Sequence, residues 1–251
     1  MMTGLLFKEL RMNWGKFLGL VAAFGFSMFL PFMAAVSAES AGDDVGQGEL
    51  LIRLMFLLFG FFIASMIQSN VFLGDETKKW GYFTATHPQG VKGQVFYKYL
   101  IVFLMILWGV AMCYFFNGIY AQFVFARMGV DVPNVTSIYL LMAFFQILMR
   151  AIELPFYIRF GAQRGGHVKM LFFLGAFIVL LIYLLFGPLP KSVDDAIYKV
   201  FDFVMNLHEG KSSDTLILGL GVFQAAAVAA YYFSYKISCR LYMKGVEQYD
   251  K

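Results

Sequence analysis

The chain has 251 residues, 60% of them hydrophobic and only 14% charged, where an ordinary soluble domain carries about 25% charge. Such a balance excludes a soluble globular domain. The formal net charge of +4 is the sum of two opposed sets of loops and is no signal for nucleic acid.

Six apolar runs, near 17–38, 54–73, 99–126, 137–158, 170–188 and 216–235, are each long enough for a bilayer core, which needs about 20 helical residues. They predict an all-α polytopic membrane protein with six transmembrane helices in a single domain, 1–251. Lys8, Arg11 and Lys16 precede the first run. Lys78, Lys79, Lys92 and Lys98 follow the second, Arg159, Arg164 and Lys169 the fourth, and Lys236, Arg240, Lys244 and Lys251 the sixth. Arg53, Arg127, Lys191, Lys199 and Lys211 fall in the other loops, among many Asp and Glu. Basic residues collect in cytoplasmic loops, so both termini are expected in the cytoplasm.

Along the chain, Leu6, Leu10 and Trp14 recur at helical spacing among Lys8, Glu9 and Arg11. This predicts an N-terminal amphipathic interfacial helix over 5–14, or else an extension of the first span. Val36-Ser37-Ala38 imitates a signal-peptide cleavage site. The apolar run before it is about 22 residues, whereas a signal peptide's core has 7–15, so a retained span is expected. Gly15, Gly19, Ala23 and Ser27 form a small-residue stripe suited to close helix contact, within the chain or at a subunit interface. Gly221, Ala225 and Ala229 form another in the sixth run.

Polar residues inside spans are costly to bury unpaired. Ser65, Gln68, Ser69 and Asn70 cluster at the cytoplasmic end of the second, while Asn117, Gln122, Gln146 and Gln224 are scattered. Both helix-to-helix hydrogen bonding and a polar path would account for them. Arg150 and Glu153, three residues apart, form a possible intramembrane pair. Pro155 is expected to kink or end that helix. The loop at 159–169, with Arg159, Arg164 and His167, is basic and glycine-rich. The outer loop at 191–214 has the apolar spacing of an amphipathic surface helix. Cys113 and Cys239 lie far apart and lack metal-ligand spacing, so they are expected to be packing residues.

The segment 74–98, GDETKKWGYFTATHPQGVKGQVFYK, is mixed in charge and aromatic. Asp75 and Glu76 suit a helix start, and Pro88 and Gly90 break the helix. A short helix with an aromatic face, held between two spans, is a handle for a cytoplasmic partner.

The run from Asp75-Glu76 through Trp80, Tyr82 and Pro88 to Lys98-Tyr99-Leu100 resembles the signature of type-2 ATP-binding-cassette exporter permeases. In particular it is similar to the small branch that includes phenol-soluble-modulin exporter permeases, and the opening LLFKEL resembles that branch's N-terminus. Where such proteins tend to carry Arg three residues after the proline, this chain has Val91, with Lys92 next. The resemblance implies an ATPase-coupling helix at Asp75, Glu76, Lys78, Lys79, Trp80, Tyr82 and Phe83. The basic loop with Arg159, Arg164 and His167 is read as a possible second coupling loop. Two permeases, identical or sibling, would assemble with two cytoplasmic ATPase subunits in a bacterial cytoplasmic membrane. The cargo it suggests is an amphipathic peptide.

The chain has no GxxxxGK[ST] loop. ATP and Mg are therefore expected in a partner, with no cofactor or metal in this chain. Neither HExxH nor GxSxG is present, and His87, His167 and His208 fall in loops, which argues against an enzyme. A secondary transporter or channel is the remaining alternative, disfavoured because Glu153 is the single candidate intramembrane carboxylate.

Overall fold

The computed structural model describes residues 2–41, 47–75, 82–83, 86, 90–128, 136–161, 164, 167 and 214–247. Regular structure among them is helical: α1 Met2–Ala41, α2 Gln47–Ser69, a 3-10 segment Asn70–Asp75, α3 Gly90–Met128, α4 Thr136–Phe160 and α5 Asp214–Val246. Four stretches are long and apolar enough to cross a membrane, Leu6–Met33, Gly90–Arg127, Ile138–Phe160 and Leu218–Val246. α2 carries a shorter apolar stretch, Leu57–Phe72. The four stretches fall at the expected first, third, fourth and sixth spans, and the shorter one falls at the expected second. The expected fifth span, and the outer helix over 191–213, lie outside the described residues.

The helices run further than the apolar runs. α1 has 40 residues and α3 has 39, so each is about 60 Å long, twice the bilayer core. The amphipathic segment 5–14 is therefore no separate interfacial helix but the first turns of α1. Nothing between Trp14 and Phe17 breaks the hydrogen-bond ladder, and one glycine at Gly15 weakens it by only about 1 kcal/mol. α3 begins at Gly90, with φ +57, and takes Lys92 and Lys98 out of the expected loop. Arg53, expected in an outer loop, lies inside α2. Pro155 neither ends α4 nor stops the chain reaching Phe160 in helix.

The chain divides into two compact units, Met1–Val71 with Phe96–Ile147, and Phe72–Val95 with Leu148–Lys251. In the first, α1, α2 and α3 meet at the buried Phe24. Its ring lies edge-on to Phe61 at 5.3 Å, and Gly60 of α2 and Gly109 of α3 make room for it. A Cβ on Gly60 would stand 2.7 Å from Ser27 Oγ and 3.1 Å from Phe24, and one on Gly109 would stand 3.0 Å from Phe24. Towards the far end, Phe32 packs on Phe123 at 4.2 Å.

In the second unit, Phe72 stacks on Tyr157 at 5.7 Å. The last turn of α5 lies against the end of α4. A Cβ on Gly245 would strike the Ile158 carbonyl and come within 2.9 Å of that of Arg159. Only glycine lets the two backbones approach this closely.

Candidate coupling segment and buried polar groups

The exit from α2 is the best-defined part of the candidate site. Ser69 Oγ donates to the Ser65 carbonyl at 3.0 Å, and the chain then tightens into the 3-10 segment at Asn70. The start of that segment is also tied to α1: Lys16 Nζ donates to the Asn70 carbonyl at 2.7 Å and to Asn13 Oδ1 at 2.6 Å. Asn13 Nδ2 in turn donates to the Glu9 carbonyl at 2.8 Å. Glu9 and Asn13 are buried, 1% and 2% exposed, whereas Phe7 and Trp14 are 66% and 63% exposed.

Of the expected coupling residues, Asp75 closes the 3-10 segment. Glu76, Lys78, Lys79 and Trp80 lie outside the described residues. Tyr82 and Phe83 are helical and stand exposed, and Thr86 Oγ1 donates to the Phe83 carbonyl at 2.8 Å. Two neighbouring exposed rings suit a surface that a partner covers.

In the second expected contact, α4 stops at Phe160 because Gly161 adopts φ +80. Its N–H donates to the Tyr157 carbonyl at 2.9 Å, the left-handed ending that glycine favours. Arg159 lies over the Phe160 ring at 5.4 Å, and Arg164 and His167 are helical and exposed.

Arg150 Nη1 donates to Glu153 Oε2 at 2.6 Å, with both side chains buried in the stretch Ile138–Phe160. The two share one face of α4 about 10 Å or more from its end. In the first unit, Gln146 Nε2 donates to the Phe61 carbonyl at 3.0 Å, and Gln68 Nε2 lies 3.5 Å from Gln146 Oε1. Gln68 from the cluster at the end of the second span and the scattered Gln146 thus tie α2 to α4.

For the stripe on α1, packing within the chain is what the geometry provides. Gly19 faces Ile67, Ala23 is buried, and Ser27 faces Gly60. Gly15 is open, with nothing near it. Gly221, Ala225 and Ala229 of α5 are all exposed.

Arg53 is the residue that topology reasoning missed. It is 1% exposed and its guanidinium sits 5.7 Å from the centre of the buried Tyr120 ring. The signal was present, since Leu50-Leu51-Ile52 and Leu54-Met55-Phe56 flank it with apolar residues on both sides. Among the described residues, no group of His, Cys, Asp and Glu could hold a metal ion.

A family model described as ABC-2 family transporter protein matches residues 4–243. No curated protein and no solved structure matches the chain.

Proposed function

This chain belongs to the ABC-2 family of transporter proteins, and on that premise we propose that it is the permease of an ATP-driven exporter moved by separate cytoplasmic ATPase subunits. The match over residues 4–243 carries the reading, because it spans nearly the whole chain. Several apolar helices support a multi-pass membrane protein. In this proposal the segment Asp75–Phe83 docks on the ATPase. Tyr82 and Phe83 supply the apolar contact, while Asp75, Glu76, Lys78 and Lys79 supply the charged one. Arg159, Arg164 and His167, beyond the Gly161 stop, form the second contact. ATP and Mg sit in the ATPase. A second permease, identical or sibling, completes the path, and both termini lie in the cytoplasm of a bacterium. The cargo is an amphipathic peptide, which rests on the likeness of the N-terminal hundred residues to phenol-soluble-modulin exporter permeases. Arg150 and Glu153 hold α4 together and take no part in proton transfer.

The test is assembly. The tagged chain purified from its native membranes should carry a phosphate-loop ATPase and Mg-dependent ATP hydrolysis. Asp75→Lys with Glu76→Lys should remove most of both while leaving membrane insertion intact. Undiminished assembly and hydrolysis in that variant would refute the coupling role.

A further inference from the structure

The first turns of α1 are built the wrong way round for a membrane anchor. An interfacial helix turns its apolar side to lipid acyl chains and its polar side to water. Here Phe7 and Trp14 are outward, but Glu9 and Asn13 are buried in the protein. Burying the Asn13 amide costs free energy unless bonds offset it. Those bonds run in one direction. The Glu9 carbonyl holds Asn13 Nδ2, Asn13 Oδ1 holds Lys16 Nζ, and Lys16 reaches the Asn70 carbonyl, 54 residues further along the chain.

Asn70 is where α2 gives way to the 3-10 segment that leads to Asp75. An ammonium at this point meets the Asn70 carbonyl and the negative end of the α2 dipole together. The Ser69 hydroxyl turns back to the Ser65 carbonyl instead. The chain's departure from α2 is thus tied to α1 through Lys16.

We propose that Lys16, set in place by Asn13 and Glu9, is a positioning residue for coupling: it fixes where the chain leaves α2, so that force on the segment beyond Asp75 moves α1 and α2 together instead of unwinding the 3-10 turn. This rests on the coupling role proposed above, and its first test does not depend on that role. Hydrogen exchange is measured on the full chain in lipid nanodiscs. Lys16→Met should speed exchange of the amides at 70–75 about fivefold, the order of effect expected for one charge-assisted hydrogen bond reached by solvent. Lys16→Arg, which keeps a donor, should stay near the parent rate, and the body of α2 should be unchanged. Asn13→Ala leaves the lysine but removes its anchor; it should show the same local change and serves if Lys16→Met does not accumulate. No acceleration, or acceleration spread evenly along α2, overturns the inference. In the complex with its ATPase, Lys16→Met should keep the ATPase bound but lower ATP turnover about fivefold, with Lys16→Arg near normal; unchanged turnover also overturns it. Failure of the charge reversal at Asp75 and Glu76 to release the ATPase would count instead against the coupling role, and the exchange result would stand apart from it.

Discussion

Arg150 and Glu153 illustrate how a charge is tolerated inside an apolar helix. Each is nearly inaccessible, and each has the other at hydrogen-bond distance. Removing one member leaves a buried charge without its counterion, which costs about 3–5 kcal/mol, whereas replacing both by apolar groups is often neutral. Glu153→Gln should therefore lower thermal stability in detergent sharply. Arg150→Met with Glu153→Leu should melt within a few degrees of the parent and still transport. A double variant that is stable but inactive would show that the pair serves the chemistry of transport and not the fold. This pair was legible from sequence because i,i+3 spacing fixes the neighbourhood before any tertiary contact exists. The apolar flanks of Arg53 pointed to a place inside a helix, but its partner was not legible, because the Tyr120 ring lies 67 residues away in α3 and only packing brings them together.

Helices here are held by notches as much as by large side chains. Phe24 of α1 enters a space that Gly60 and Gly109 leave, and Ser27 closes against Gly60. Without a hydrophobic driving force in lipid, association depends on such close backbone approach. Gly60→Ala should cost about 1–3 kcal/mol as an overpacked contact, and Ser27→Gly in the same chain should recover part of it, read as a rise in melting temperature of the double variant over Gly60→Ala alone. If Ser27→Gly gives no recovery, α1 and α2 are not limited by that contact. The element boundaries were the least legible feature. Apolarity marks the part of a helix in the bilayer, but the hydrogen-bond ladder continues through any residues that do not break it. α3 and α5 accordingly carry Lys92, Lys98, Lys236, Arg240 and Lys244 in helix where loop or tail was expected.

At the scale of the molecule, the alternating charge of the loops predicts which side each helix end faces. In a chain lacking Cys113 and Cys239, Thr86→Cys should react with a membrane-impermeant maleimide only from the cytoplasmic side, and Asp214→Cys only from outside. Labelling of both from one side would overturn the topology. Family and class were legible in the sequence, because six apolar runs and the 75–100 segment need no partner to be recognised. Which face of each helix turns inward was decided by the tertiary structure alone. In water, burial follows apolar periodicity, but a helix in lipid is apolar on its outer side as well. Leu6, Leu10 and Trp14 therefore read as the face that matters. Packing chose otherwise, turning Trp14 outward and burying Glu9 and Asn13, where the Asn13 amide finds the Glu9 carbonyl and Lys16.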